Sequence, residues 1–423
     1  MTYKLSDIAS YISVKVPTDT ISIDEYISTE NMLPEKGGVT RAASLPSTPR
    51  TNSFQIGDVL FSNIRTYFRK VWYATFDGGV SSDVLVIRSI DESILLSKYL
   101  YYLLSSEEFI QYTVKTAKGT KMPRGDKLAI MNYTFNLPSI EIQKKVAHIL
   151  STIDEKIELN RKLNQTLEEI AQTLFKSWFV NFDPVQVKAI GKSEDELETA
   201  AKELGISKEI LDLFPSEFEE SELGMIPKGW ETLSLDKVAN YQNGLALQKF
   251  RPKDETNYLP VLKIAQLKKG YADGEEKADP SIKSECIVDN GDVVFSWSGS
   301  LMIDLWCGGT VALNQHLFKV TSTEYSKWFY YYWTKQHLQN FQQIAKDKAV
   351  TMGHIKRSHL TEAICAIPTE ELFIKVDAIL APLVDQMISD RLENNTLQTM
   401  RDTLLPRLLS DEINVSSIEV DEV

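Results

Sequence analysis

Two polar clusters, each present twice, are the residues of this chain whose types could do chemistry. Asn63, Arg65, Thr66, Tyr67, Arg69 and Lys70 follow the run GDVLFS at 57–62, and Trp297, Ser298 and Ser300 follow GDVVFS at 291–296. A second cluster lies further along each half: Lys115, Lys118, Lys121 and Arg124 in the first, and Lys346, Lys348, Thr351, His354, Lys356 and Arg357 in the second. Arg, Lys, Asn, Gln and Ser are the types that clamp phosphates and read base edges. These positions are the candidate contacts to nucleic acid; the bland alternative is that they are solvated loops.

No catalytic constellation competes with them. The GKS at 191–193 has Gln186 where a phosphate loop needs glycine. Asn181-Phe182-Asp183-Pro184 lacks the second proline of the amino-methyltransferase motif it faintly resembles. His354 and His359 stand five apart without the glutamate of a zinc-protease helix. No Gly-x-Ser-x-Gly elbow occurs, and Cys286, Cys307 and Cys365 are too scattered for a zinc site or disulfide framework. Gly78-Gly79 and Gly308-Gly309 read as hairpin turns. The expectation is binding rather than catalysis, with no cofactor or metal on this chain.

Few cysteines, no apolar run near the ~18 residues of a membrane span and no signal-peptide core at MTYKLSDIAS point to a soluble cytoplasmic protein. The net charge of −13 argues against nucleic acid until it is divided. Residues 1–135 carry 15 basic and 14 acidic side chains, 136–224 carry 10 and 18, 225–366 carry 17 and 15, and 367–423 carry 4 and 12. Near-neutral blocks alternate with strongly acidic ones, and only the former suit phosphates.

The letters repeat with the charge. LSDIASY at 5–11 returns as LDKVANY at 235–241, GDVLFS returns as GDVVFS, and SKYLYYLL at 97–104 returns as SKWFYYYW at 326–333. Leu137-Pro138 returns as Ile367-Pro368. Four matches in one order, all shifted by 229–234 positions, are an internal duplication far longer than a solenoid repeat. Each copy opens with short strand-like runs (GDVLFS, VWYATF and DVLVIR; GDVVFS and TVALNQHLFKV) and continues into an aromatic-rich helix at 97–116 or 326–345. A basic loop and a long helix complete it. The boundaries expected are a domain over 1–138, a long helix over 139–180, an acidic helical linker over 181–224, a second domain over 225–368, a second long helix over 369–410 and an acidic tail over 411–423.

The long helices carry one seam each. Val146, Leu150, Ile153, Ile157, Asn160, Asn164, Leu167, Ala171, Leu174 and Trp178 fall on one face, apolar except for two central asparagines. The counterparts are Val376, Leu380, Leu383, Met387, Asp390, Asn394, Leu397, Arg401, Leu404 and Leu408. Neither helix can bury its stripe alone. Paired antiparallel, their polar centres meet and hydrogen-bond, which would fix register; alternatively these residues face water where the seam splays. Pro382 should kink the second helix or mark its start. The fold class expected is α+β: two similar mixed α/β domains joined by two long antiparallel helices in a pseudo-twofold arrangement.

LPSIEIQKKVAHILSTIDEKIELNRKLNQTLEEIAQTLFKSWFVNFDPV at 137–185, GMIPKGWETLSL at 224–235, VTMGHIKRSHL at 350–360 and LLPRLLSDEI at 404–413, in that order, resemble the specificity subunits of bacterial type I restriction–modification enzymes. The resemblance spans the whole chain. It implies that two target-recognition domains each read half of a split, asymmetric duplex DNA target, with the helices setting the gap. It also implies docking of two modification subunits, which bind S-adenosylmethionine and methylate adenine. Restriction subunits, which use ATP and Mg, would join through them. The first copy has KGTKMPRGD where the second has KAVTMGHIK, a departure that bears on the first domain's contacts. An enzyme in its own right would need a cofactor pocket that the sequence does not offer. A protein-only scaffold would suit the acidic blocks but not the basic loops.

Overall fold

A computed structural model describes residues 1–191, 193–347 and 353–417. The candidate contacts Lys348 and Thr351 lie outside the described residues. The chain divides into two compact units, Met1–Lys156 with Leu397–Val423, and Ile157–Thr396. Both long helices run unbroken through a boundary.

In the first unit Ala9–Tyr11, Val84–Ser89, Val59–Ser62 and Val71–Tyr73 form an antiparallel sheet in that order. Val59–Ser62 is apolar on both faces because both faces are covered. Val59, Phe61, Leu85 and Ile87 enter the core shared with the helices, whereas Leu60, Val84 and Val86 enter a smaller core on the other side. That smaller core also holds Phe54 and Val80 of the second sheet, whose order is Lys15–Pro17, Arg50–Phe54, Gly78–Val80 and Tyr26–Ile27. Thr2–Lys4 pairs with Thr134–Asn136 and ties the start of the domain to its end.

The second unit repeats this plan. Asn240–Asn243, Leu317–Thr321, Val293–Ser296 and Ile303–Leu305 are ordered like the first unit's helix-facing sheet, and Glu231–Ser234 pairs with Ile364–Ile367. Val293 and Phe295 again face the large core while Val294 faces a smaller one. The other sheet preserves three strands and changes its edge. Val311–Leu313 has a parallel neighbour, Leu259–Leu262, and an antiparallel one, Ile287–Val288. Gly78–Val80 has the same two kinds of neighbour in Tyr26–Ile27 and Arg50–Phe54. The fourth strand sits beside the antiparallel neighbour in the first unit and beside the parallel one in the second.

The repeated GDV has a local cause. Gly57 and Gly291 adopt φ of +91° and +85°, a left-handed turn that suits glycine. The following aspartate closes the turn. Asp58 accepts from the Gln55 N–H at 2.7 Å and from the Arg88 guanidinium at 2.5 and 2.8 Å. Asp292 accepts from the Asp289 N–H at 2.7 Å and pairs with Lys319 at 2.7 Å.

Several elements differ from expectation. Gly78-Gly79 is not a hairpin turn but an inner strand, and a Cβ on Gly78 would fall 2.1 Å from the Glu25 carbonyl oxygen. Gly308-Gly309 lies in the connection between Ile303–Leu305 and Val311–Leu313, but those strands belong to different sheets, so it is no hairpin turn either. The aromatic helix is one piece in the second unit, Lys327–Asp347, but two in the first, Ser97–Ser105 and Glu107–Thr116. There the Ser106 hydroxyl accepts from the Phe109 N–H and caps a fresh start. The stretch 181–224 is no loose linker: Val185, Ala201, Leu211 and Phe214 lie in the second unit's main core. The tail begins packed as well, with Val415 buried in the first unit.

The first long helix spans Ile140–Phe175 and closes in a π-turn at Lys176–Val180, which buries Trp178 and Phe179. The second spans Glu370–Leu409, so Pro382 does not mark its start. The cost of a proline in a helix interior, about 3 kcal/mol from the lost hydrogen bond and the ring clash together, is offset by burial of Leu380, Val384 and Met387 around it. In the first unit, Val146 and Leu150 share a core with Leu405 and Leu408. Arg401 sits in this seam at 5% exposure, donating to Asp154 at 2.9 Å, and Tyr102 donates to the other Asp154 oxygen at 2.9 Å. Burial opposes the Arg401 charge, but Asp154 and Asp402 outweigh it and hold the guanidinium protonated.

In the second unit Ala171, Phe175 and Trp178 pack with Val376, Leu380 and Met387. Asn160 donates to Asn394 at 3.0 Å and to Glu393 at 2.7 Å, and Asn164 donates to the Met387 carbonyl at 3.2 Å. Asp390 accepts from Gln386 of its own helix at 2.6 Å. Asn160, Asp390 and Asn394 are buried, so the seam does not splay to water here. The four polar residues do not all bond one another: one amide pair crosses the helices, and Asn164 finds backbone instead. Ile157 is buried, while Ile153, Leu167, Leu383 and Leu397 are half-buried. Within each unit the partners run in opposite directions along the chain. Among the described residues no helix is long and apolar enough to cross a membrane.

Gly78→Ala should lower stability by about 3 kcal/mol or more in urea unfolding of the full chain, because backbone oxygen blocks the new methyl. Gly191→Ala, at φ +72° with nothing within 4 Å, should cost only about 1–2 kcal/mol. Equal losses would remove the steric account of Gly78.

Candidate nucleic-acid interface

In each unit the two polar clusters meet through the same three main-chain contacts. In the first, the Gly125 N–H donates to Asn63 O at 3.0 Å, Ile64 bridges Arg124, and the Arg65 N–H donates to Pro123 O at 2.8 Å. In the second, the Ile355 N–H donates to Trp297 O at 3.0 Å, Ser298 bridges His354, and the Gly299 N–H donates to Gly353 O at 2.8 Å. The turn after the GDV strand and the basic loop are thus sewn together alike. What hangs on the stitching differs.

Arg65 has φ +50° where the second unit has Gly299 at +66°. A left-handed arginine is uncommon, and such outliers gather at functional sites. Its side chain makes no hydrogen bond or ion pair among the described residues. Asn63 is buried with an unpartnered Oδ1, pressed so closely by Gly125 that a Cβ there would come within 2.7 Å. Thr66 is buried, and Tyr67 is exposed with its ring 4.7 Å from Phe68. Arg69 is already spent: it donates to Glu107 at 3.0 and 3.1 Å and to Glu35 at 3.0 Å. Those hydrogen bonds, from Glu107 first, raise its pKa, and in return Arg69 lowers that of Glu107. Lys70 donates to the Thr29 carbonyl at 2.6 Å, and burial lowers its pKa.

In the first basic loop Lys118 pairs with Asp126 at 2.5 Å and Arg124 with Asp83 at 3.1 Å. Lys115 and Lys121 are exposed.

The second unit puts rings and short polar groups at the same stitches. Trp297 is half-buried, donating its Nε1 to the Gln315 carbonyl at 3.2 Å, with His316 and His354 at ring distances of 5.9 and 6.3 Å. Buried Ser298 bonds His316 Nδ1 at 2.9 Å, and Gln315 reaches His316 Nε2 at 3.3 Å. Ser300 and Lys346 are exposed and line a cavity of about 370 Å³ with Gly299, Leu301, Gln342, Ala345 and Gly353. His354 and Lys356 are exposed. Arg357 is exposed overall, yet its guanidinium donates to the Tyr241 carbonyl at 3.0 Å and lies over Phe318.

Of the candidates, Arg69, Lys70 and Arg357 are therefore engaged by groups of their own units. Phe68, Met122, Gln315 and His316 stand at the stitched turns and were not among the sequence candidates. The signal for Met122 was its place between Lys121 and Pro123; for Gln315 and His316 it was the polar pair inside TVALNQHLFKV. No group of three or more metal-binding side chains is found among the described residues.

A family model for the type I restriction modification DNA specificity domain matches residues 3–169 and again 227–398. The specificity subunit of the type I restriction enzyme HindI from Haemophilus influenzae is 25% identical over 455 residues, covering 97% of this chain and 99% of that protein. The MjaIX specificity subunit from Methanocaldococcus jannaschii is 25% identical over 333 residues, covering 77% and 71%. The solved S subunit of a type I restriction–modification system from M. genitalium has the same fold, with a TM-score of 0.54 at 13% identity over 96% of this chain and 95% of that one. With both copies of its repeat matched, the chain belongs to the type I restriction modification DNA specificity family.

Proposed function

We propose that this chain is the non-catalytic DNA-reading subunit of a type I restriction–modification complex, with each unit reading one half of a split duplex target. The observation that carries this is the shared stitching. Two turns are held alike in both units, yet they present Arg65, Tyr67 and an Asp83–Arg124 pair in one and Trp297, Ser298, Ser300 and His354 in the other. A common mount with different side chains suits two half-sites of different sequence. The remaining DNA contacts are Asn63, Thr66, Lys115, Lys118, Lys121, Lys346 and Lys356. The boundaries 1–138 and 225–368 for the reading domains, and 139–180 and 369–410 for the helices, belong to the same proposal. The helices set the gap and dock two modification subunits. Those subunits hold S-adenosylmethionine and methylate adenine, and restriction subunits with ATP and Mg attach through them.

Mapping methylated adenines in cells carrying the system tests the core of this. The expected pattern is a bipartite, non-palindromic motif with a fixed gap; a continuous or symmetric motif would refute the two-reader account. Binding of that duplex by the complex should weaken with salt by a slope of about 0.9 per neutralised phosphate.

Arg65→Ala should cost about 1–3 kcal/mol of binding on the first half-site and leave unfolding unchanged. Arg69→Ala should do the reverse, losing stability because Glu35 and Glu107 are left facing each other. If Arg65→Ala binds the mapped duplex as the parent does, its place at the interface is lost.

The amide pair offers a separate test of the helices as a ruler. Replacing Asn160 and Asn394 together with Leu should leave stability nearly unchanged, since both partners of the amide bond go and Glu393, the other acceptor of Asn160, is exposed to water. It should loosen register, so that methylated motifs appear with more than one gap length. A single unchanged gap would mean that register is fixed elsewhere.

A further inference from the structure

Tyr67 and Phe68 are 43% and 39% exposed, their rings touch, and they occupy the tip of the stitched turn in the first unit. Met122, 52% exposed, precedes Pro123, whose carbonyl receives the Arg65 N–H. Three large apolar side chains thus stand in water near exposed Lys121 and an arginine whose side chain has no partner among the described residues. The tip is also braced. Among the described residues six non-glycines have positive φ, and four of them, Glu35, Lys36, Arg65 and Arg69, meet here. The Glu35 and Lys36 N–H groups donate to Phe68 O and Arg69 O, both at 2.9 Å, while Glu35 and Glu107 grip Arg69. Lys36 then reaches Asp402 of the second long helix at 2.7 Å. Left-handed residues in this number persist only where surrounding structure over-determines them. A braced tip keeps its rings exposed instead of letting them fold back onto the surface.

Apolar side chains held rigidly beside cations fit the stacked bases of duplex DNA, whose phosphates meet the cations and whose base steps admit a wedge. We propose that Tyr67, Phe68 and Met122 form a wedge that enters the base stack of the half-site read by the first unit and unstacks it at one step. This rests on the DNA-reading role of the chain. The second unit has no such tip among its described residues: Gly299 and Ser300 occupy the turn and Leu301 is buried. The two halves of the target are therefore deformed unequally, and part of the first half-site's sequence preference comes from how readily its steps unstack.

The test uses the full chain in complex with its modification subunits and the duplex found by methylation mapping. 2-Aminopurine replaces adenine at each position of both half-sites in turn, leaving out the base that is methylated. The expected result is bright fluorescence at one step of the first half-site and none in the second. The brightening should vanish in Tyr67→Ala/Phe68→Ala, with binding weaker by about tenfold for each ring removed. The single variant Phe68→Leu, which keeps an apolar tip, should retain part of the signal. Bound duplex with no brightening, or brightening that survives the double substitution, overturns the wedge while leaving the DNA-reading role standing. Absence of salt-dependent binding to any duplex would fell that role itself.

Discussion

A forty-residue helix with an apolar stripe cannot stand in water, and the whole plan of this chain follows from how two such helices are covered. In the first unit the stripe beginning at Val146 and Leu150 is closed by Leu405 and Leu408. In the second, Ala171, Phe175 and Trp178 are closed by Val376, Leu380 and Met387. Each recognition domain then docks its aromatic helix on the same stalks through a tyrosine hydroxyl: Tyr102 on Asp154 and Tyr332 on Glu168. An isolated domain would leave both its stripe and these hydroxyls open. That is why each compact unit joins a domain to a stretch of both long helices.

The seam is not uniformly greasy, and the polar positions do different work. Arg401 and Asp154 are a buried ion pair whose net contribution to stability is small, because desolvation offsets attraction. Their value is positional. A charged pair tolerates a one-turn slip far less well than two leucines do, since slipping would bury each charge alone. Asn160 and Asn394 act alike through neutral amides. Leucines supply the adhesion, and the polar pairs decide where along the stalks it happens.

Much of this was legible in the letters, for physical reasons. A duplication at one offset forces one architecture twice, so a strand found in either copy counts for both. GDVLFS and GDVVFS read as short strands, which they form, and the structure adds that both faces of each are covered. What stayed hidden depends on side chains meeting across long stretches of sequence. Nothing near Arg69 shows that Glu35 and Glu107 will take its guanidinium. Nothing near Gly78-Gly79 shows that Glu25 will crowd it, so a turn-forming dipeptide became a strand that only glycine fits. Pro382 read as a break because the local rule is strong, and the flanking core residues overrode it. The acidity of 181–224 masked Leu211 and Phe214, three apart on a short helical pattern and fully buried.

The same accounting of partners bears on how the chain could hold DNA with a net charge of −13. Of the candidate cations in the first unit, Arg69, Lys70, Lys118 and Arg124 are bound to groups of their own unit. Arg65, Lys115 and Lys121 have no such side-chain partner among the described residues, and a phosphate contact by Lys118 would compete with Asp126. Three unpaired cations in the first unit would give that unit alone a salt slope of about 2.7 at 0.9 per contact, before the second unit's Lys346 and Lys356 are added. A reader so sparing of free charge gains little from sliding over arbitrary sequence and must take its discrimination from base edges and deformability. On this view the acidic helical blocks are compatible with DNA recognition, because they keep nonspecific phosphate contacts few.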